Sequence, residues 1–190
     1  MVRIGVWGAV TVAGAGAAAG YLGLVTGALA LDIGLGRRTR PLGPQTVEIA
    51  APREVVFDVI ARPYLGRATR AMREKVQVLE RGSDLVLAAH HTPVAGGRLT
   101  ATTVETVRFT RPERVDFRLV RGPVPAVTES FILTTEQASG TRLVYEGDLA
   151  TDLWRAGQWW GGLVAPRWEA TVAASLAAVK REAERRAAHR

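Results

Sequence analysis

The stretch Val47-Glu48-Ile49-Ala50-Ala51-Pro52-Arg53-Glu54-Val55-Val56-Phe57-Asp58-Val59-Ile60 decides how the rest of the chain is read. Up to Ala50 the apolar residues alternate, with Val47 and Ile49 on one side and Glu48 on the other. That is the pattern of a half-buried strand, predicted over Gln45–Ala50. After Ala51-Pro52 the alternation gives way to a stripe of Val55, Val56, Phe57, Val59 and Ile60, which predicts a helix. Pro52 suits a helix start because its missing N–H has no partner to lose there. Glu54 in the first turn complements the helix dipole, and Pro63 is expected to end the helix.

Downstream, a short helical piece is expected near Tyr64–Met72, followed by strands at regular spacing. They are Lys75–Arg81, Leu85–His91, Arg98–Phe109, Val115–Arg121, Ala126–Thr135 and Thr141–Leu149. The turns between them read Gly82-Ser83-Asp84, Gly96-Gly97, Arg111-Pro112-Glu113, Gly122-Pro123 and Ser139-Gly140, which implies an antiparallel meander. The last segment is helical, with Val172, Leu176, Val179 and Ala183 on one apolar face and Lys180, Arg181, Arg185 and Arg186 loading its end. Gly161-Gly162 and Pro166 suggest that this helix begins near Pro166, behind a shorter helix or lid over Trp154–Trp160. The class is α+β.

This order resembles the helix-grip fold of the START, Bet v 1 and polyketide-cyclase superfamily, often labelled SRPBCC. The segment Val47–Ile60 looks like the family's opening "I-x-A-P-x-E-x-V-F" signature, and Leu176–Glu184 looks like its last helix. The similarity covers roughly residues 45–187. It implies a curved antiparallel sheet of six to seven strands around a long C-terminal helix, with an apolar cavity between them. Many relatives carry an Asp-Pro step and a Trp after the first helix. Here the text is Ala61-Arg62-Pro63-Tyr64-Leu65-Gly66, so the cavity mouth departs from the pattern. The superfamily includes lipid carriers, ligand sensors, cyclases and ring-hydroxylase subunits, so function has to be argued from the site.

Working outward to the N-terminus, no charged residue occurs from Ile4 to Leu31. As a helix of about 1.5 Å per residue this run would reach roughly 42 Å, enough to cross a bilayer. The expected organisation is a transmembrane helix over 1–34, a basic Pro/Gly linker over 35–44, and the SRPBCC/START-like domain over 45–187. Arg37, Arg38 and Arg40 follow the run and only Arg3 precedes it, which predicts a single-pass protein with its domain in the cytoplasm. Ala28-Leu29-Ala30 supports the alternative of export after cleavage near Ala30. Gly16-x-x-x-Gly20 and Gly23-x-x-x-Gly27 have the spacing for self-association of membrane helices.

The 190 residues suit one domain with an appendage, and 47% hydrophobic content excludes a disordered chain. With no cysteine there is no disulfide framework, Cys-ligated metal or Cys nucleophile. The net charge of +7 is spread on a mixed-sign surface, and no nucleic-acid partner is expected. The three histidines lack metal-ligand spacing, and neither a phosphate-cradling Gly-rich loop nor a Gly-x-Ser-x-Gly elbow is present. No cofactor and no metal is expected.

Strand parity names the candidate site. Glu129 shares parity with Val127, Phe131 and Leu133, and Glu105 with Leu99, Ala101, Val107 and Phe109. His91 shares parity with Leu85, Leu87 and Ala89, and Tyr145 with Leu143 and Leu149. These four are expected to point into the cavity, where a buried carboxylate acquires a raised pKa and can serve as acid or base. A bulge would invert any of these parities, and Arg98, Arg118 or Arg142 offers a cross-strand partner instead. Tyr145 also reads as a core aromatic with a satisfied hydroxyl, and His90 and His91 as strand-end residues beside Thr92-Pro93. Trp168 reads as core. Adjacent Trp159 and Trp160 cannot share one helix face, so one of them lines the cavity mouth or meets lipid. The expected ligand-binding set is Glu105, Glu129, His91, Tyr145, Trp159 and Trp160, with no catalytic residue assigned. The expected function is a membrane-tethered module holding a hydrophobic small molecule or lipid. The alternative is a polyketide cyclase/dehydratase-like enzyme using the cavity Glu and His residues. A third reading is an assembly protein acting through its Gly-rich helix.

Overall fold

The computed structural model describes residues 18–66, 70–136 and 140–189. Helix α1 is described over 18–26. Then come β1 (Arg38–Ile49), α2 (Arg53–Leu65), α3 (Arg70–Lys75), β2 (Val76–Arg81), β3 (Leu85–Val94), a 3-10 turn (Ala95–Gly97), β4 (Leu99–Thr110), β5 (Arg114–Arg121), β6 (Ala126–Thr135), β7 (Thr141–Thr151) and α4 (Trp154–Ala187). The seven strands form one antiparallel sheet in the order β1-β7-β6-β5-β4-β3-β2, with α4 packed against β1, β7 and α2. Thus the helix-grip architecture is present, and the predicted meander matches the observed strands to within a few residues.

The opening signature makes a corner that α4 holds closed. Ala51 is buried, and its carbonyl accepts a hydrogen bond from the buried Thr141 hydroxyl at 2.7 Å. Glu184 of α4 accepts the Ala50 N–H at 3.0 Å, and Lys180 donates to the Glu48 carbonyl. The apolar stripe of α2 then enters the core through Val55, Val56, Phe57, Ile60, Ala61 and Tyr64. Two prolines are absorbed rather than obeyed. Pro63 lies inside α2, which runs on to Leu65, and Pro166 lies inside α4. The expected break at Gly161-Gly162 and Pro166 is therefore absent, and one 34-residue helix spans the stretch. Gly162 and Pro166 both sit on the exposed side, where water can take the carbonyl that the proline leaves unpaired. The neighbouring glycines work on the opposite side. A Cβ on Gly157 would lie 1.7 Å from the Asp152 carbonyl oxygen, and one on Gly161 would lie 3.1 Å from Thr151 Cγ2. Small residues thus let the start of α4 approach the end of β7.

The N-terminal third differs most from expectation. The stretch 35–44 is not a linker. From Arg38 onward it is strand, paired with β7 from Arg38↔Thr151, because β7 extends far enough to supply an edge. The register shifts between Leu42 and Gln45, where Gly43 has a φ of 76° that a residue with Cβ rarely adopts. Of the expected membrane helix, residues 1–17 lie outside the described residues. The remainder is helical only over 18–26. No helix among the described residues is long and apolar enough to cross a membrane. Helix α1 stops at Gly27 (φ 72°), whose backbone presses on the domain so closely that a Cβ would lie 2.1 Å from the Thr102 carbonyl oxygen. Arg121 then donates to the Gly27 and Ala28 carbonyls at 2.9 and 2.8 Å. Gly23 likewise faces Leu29 of its own chain, so the Gly23-x-x-x-Gly27 pair serves an intramolecular approach.

Asp152 fastens the rest of this segment. Its carboxylate accepts the Ile33 and Gly34 N–H groups at 2.8 Å each and the Arg37 Nε–H at 2.8 Å. The Arg37 guanidinium and these amides hold Asp152 down at about 2. A depressed carboxylate stabilises the folded contact above its unfolded pKa, and this contribution is lost as pH falls towards the folded value. Asp152→Asn should therefore raise hydrogen exchange at the Ile33 and Gly34 amides about tenfold or more, as expected for lost charge-assisted bonds of ~1.5–3 kcal/mol. Core amides near Leu176 should be unaffected. In the wild type the same two amides should stay protected down to about pH 3 and lose protection below it.

The two sides of α4 also differ in what they tolerate. Gly157→Ala should destabilise the fold by ~1–3 kcal/mol through the clash with Asp152. At Gly162 a Cβ meets nothing within 4 Å, so Gly162→Ala should stabilise by up to about 1 kcal/mol through helix propensity. Urea unfolding of the two variants tests the contrast.

Candidate functional site

Two inward carboxyl groups, Glu105 buried and Glu129 half-buried, come from neighbouring parts of the sheet. Glu129 lies on β6 among the inward residues Val127, Phe131 and Leu133, opposite Phe117 of β5 and Gly147 of β7. Gly147 makes the room: a Cβ there would lie 2.4 Å from the Thr128 carbonyl oxygen and 2.9 Å from Glu129 Cβ. Tyr145, two residues back on β7, donates its hydroxyl to Glu129 Oε2 at 2.8 Å. Trp168 of α4 donates its indole N–H to the same oxygen at 2.7 Å. Glu129 Oε1 accepts no protein hydrogen bond among the described residues. Phe117, paired with Glu129 from β5, and Phe131, two residues on, have ring centroids 5.3 Å apart, and those of Phe131 and Tyr145 are 5.8 Å apart.

Glu105 of β4 is only 5% exposed. Its Oε1 accepts the Thr103 hydroxyl at 2.8 Å, and its Oε2 lies 2.9 Å from His90 Nδ1. His90 Nε2 is 2.9 Å from the Tyr64 hydroxyl, which α2 delivers from its last turn. The β3–β4 register makes this line of groups: Ala88 faces Glu105, and His90 faces Thr103. Tyr64 closes it from above, packing against Phe109 and Phe117 with centroids 5.7 and 6.1 Å away. When Nδ1 donates to Glu105, neutral His90 accepts the Tyr64 O–H at Nε2, and the imidazolium donates there instead.

Burial pushes Glu129 up to about 7; the charge of Glu105 adds to this, and the Trp168 and Tyr145 hydrogen bonds oppose it. Burial alone would lower His90, but the neighbouring Glu105 carboxylate outweighs it and the net shift is upward. Tyr64 and Tyr145 are both pushed above the ordinary phenol range, by burial first and then by the nearby carboxylates. The interior therefore presents an acid–base group poised at neutrality beside an imidazole–carboxylate pair.

Of the six expected ligand-binding residues, the structure turns Glu105, Glu129 and Tyr145 inward. His91 is the correction. It faces the other side of β3, where its Nδ1 lies 3.2 Å from the Thr102 hydroxyl, and His90 takes the inward place. Leu85–Ala89 is apolar at every position, so alternation could not select a face there; pairing with β4 selects it. Trp160 is part-buried and donates its indole N–H to the Pro123 carbonyl at 2.7 Å, edge-on to Tyr21 at 6.0 Å. Trp159 is 69% exposed and joins neither carboxyl. Tyr64, His90 and Trp168 complete the cluster. Trp168 had the signal of an inward helix face, whereas nothing local in the sequence marks Tyr64.

Among the described residues no three His, Cys, Asp or Glu side chains are grouped to hold a metal ion. A depression of about 900 Å³ is lined by Arg114, Asp116, Arg118, Ser130 and Asp148, of parity opposite to Glu129, and also by Phe117, Glu129 and Gly147 themselves.

No family model matches the sequence, and no curated protein matches it either. Solved structures do resemble it. The ZhuI aromatase/cyclase from Streptomyces sp. R1128 is similar at a TM-score of 0.61 and 23% identity, over 79% of this chain and 95% of that one. TTHA0849 from Thermus thermophilus is similar at 0.59 and 17%, over 76% and 97%. Norcoclaurine synthase from Thalictrum flavum, in complex with dopamine and hydroxybenzaldehyde, is similar at 0.58 and 11%, over 77% and 87%. At these identities the likeness is one of fold.

The raised pKa values carry a stability consequence. Glu129 holds its proton in the folded state up to about 7, against 4.5 for an ordinary glutamate. Folding stability should therefore fall as pH rises from about 4.5 through 7, and the raised His90 acts in the same direction from about 6.5 upward. Glu129→Gln should flatten most of this slope. Urea midpoints measured between pH 4.5 and 8 on both proteins check it.

Proposed function

We propose that the chain binds a small, largely apolar molecule carrying one hydrogen-bonding oxygen or nitrogen, seated within the helix grip against Glu129. One observation carries this reading: among the described residues Oε1 of Glu129 is unpaired, while its other oxygen is doubly bonded and Phe117 and Phe131 are the neighbours of Glu129 on the same face of the sheet. Pockets for small molecules combine apolar lining with a few fixed polar groups that set orientation. Tyr145 and Trp168 hold the Glu129 carboxyl in place, so a ligand meets a preorganised acceptor or, below about pH 7, a donor. Glu105 and His90 form the second polar edge. We also propose that the chain works at a membrane with its domain on the cytoplasmic side. The uncharged run from Ile4 to Leu31 and the arginines Arg37, Arg38 and Arg40 beyond it support that placement.

A second reading has a specific observation behind it. A carboxyl at about 7 beside a His–Glu pair is matched to proton transfer at neutral pH. One similar fold belongs to a protein described as an aromatase/cyclase. In a dehydration of a polyketide-like substrate, neutral Glu129 would protonate the departing hydroxyl, which leaves as water. The imidazole–carboxylate pair would take the carbon-bound proton as the C=C bond forms.

Native mass spectrometry of the full chain in detergent, followed by organic extraction, should show a stoichiometric apolar adduct. A fluorescence titration with 2-naphthol should give an affinity that Glu129→Leu lowers about tenfold, the equivalent of one hydrogen bond to a carboxyl. Unchanged affinity in Glu129→Leu would remove the reading. Turnover whose pH profile has a limb near 7 that Glu129→Gln abolishes would move the weight to the enzyme.

A further inference from the structure

The chain exposes an unusual concentration of large apolar side chains at one end of the fold. Twelve such residues are exposed among those described, and nine of them fall in 18–35 or 153–159. Leu29, Leu31, Ile33 and Leu35 lie along the segment that follows α1, at 40–57% exposure, and Leu153 and Trp154 stand where α4 begins. The backbone brings these two stretches side by side. The Leu153 N–H donates to the Leu35 carbonyl at 2.8 Å, and the Trp154 N–H donates to the Gly36 carbonyl at 3.0 Å. The Trp154 ring covers Gly36 so closely that a Cβ there would lie 2.3 Å from it. Leu153 and Trp154 reach this position with φ values of 66° and 48°, a left-handed conformation that is costly for a residue with a Cβ. A fold that holds a leucine in a strained conformation and still leaves it 43% exposed has not placed it there for its own core.

The charges at this end select a partner. Its acidic residues, Asp32 and Asp152, are both engaged by Arg37. Arg38, Arg40 and Arg155 are exposed and have no ion pair among the described residues. The surface is therefore leucines and a tryptophan with uncompensated arginines beside them. Apolar side chains that enter the acyl boundary, aromatic residues at headgroup level and arginines against anionic lipid are the pattern of a membrane interface. The uncharged run that starts at Ile4 leads into the same end. A second copy of the chain would bring like charges together, whereas an anionic bilayer neutralises them.

We propose that this end of the folded domain, built from residues 29–35 and the start of α4, docks directly on an anionic lipid bilayer. The proposal rests on the membrane association proposed above and adds that the domain itself, not only the chain preceding it, touches the lipid. It also orients the grip: Trp160, hydrogen-bonded to the Pro123 carbonyl and edge-on to Tyr21, lies beside the docked surface, so this side of the grip faces the bilayer.

Because the chain has no cysteine, single-cysteine variants report cleanly. Nitroxide labels are placed in the full chain at Leu31→Cys, at Leu153→Cys and, as a control, at Leu79→Cys on β2, at the opposite edge of the sheet from β1. Accessibility to oxygen and to a water-soluble nickel chelate is then measured with vesicles of phosphatidylcholine and phosphatidylglycerol. The labels at 31 and 153 should become several-fold less accessible to nickel and more accessible to oxygen, while the label at 79 stays open to water. Arg38→Glu with Arg155→Glu should reverse the change at 153. Vesicle-bound protein with all three labels equally open to nickel would overturn the docking face while leaving membrane association standing. Absence of any vesicle binding would overturn both. Protection of 31 and 153 without vesicles, at a mass of two chains, would assign the face to self-association and overturn the proposal.

Discussion

A carboxyl group pinned between the sheet and the long helix is the constraint on which this interior depends. Glu129 receives one hydrogen bond from the sheet, through Tyr145, and one from α4, through Trp168. Both arrive at one oxygen, so within the aromatic layer helix and sheet meet at a single carboxylate oxygen. Burying that group is costly, and part of the cost appears as a proton held up to about pH 7. An apolar residue would pack there without the cost. The acidic position is therefore informative, because the fold retains an ionisable group where a hydrophobic one would stabilise it more.

Glu105 extends the same logic. Its partners are a threonine on its own strand, a histidine on the next and, through the histidine, a tyrosine from α2. Each group satisfies the one before it, as buried polar networks must. The chain of contacts crosses from the sheet to α2, while Glu129 crosses from the sheet to α4. The two helices that close the grip are thus each tied to the sheet through an acid. A change at either carboxyl would be felt in the position of a helix as well as in the chemistry of the interior.

Much of this was legible in the sequence. The alternation around Val127 to Leu133 placed Glu129 inward, and the same argument placed Glu105 and Tyr145. It worked because those strands carry most of their apolar residues on one face. It failed for His91 because Leu85–Ala89 is apolar on both faces, leaving no alternation from which to choose. The expected helix break at Pro166 failed for a related reason. Propensity counts the lost hydrogen bond, but not the burial of Gly157, Gly161, Ala165 and Val172, which holds the helix on either side of the proline.

The sequence by itself determined the class of the fold, the meander order of β2 to β7 through its turns, and the inward direction of both carboxyls; the pairing of β1 with β7 was left to the tertiary structure. The first three rest on local periodicity and turn chemistry, which act over a few residues. Tertiary structure alone decided that Tyr64 meets His90, that Trp168 meets Glu129 and that 35–44 is strand. It also decided that Asp152 fastens a segment more than a hundred residues away. Those are pairings between elements, and the register and helix contacts that create them are set by the whole core packing at once. No short window of sequence contains that information.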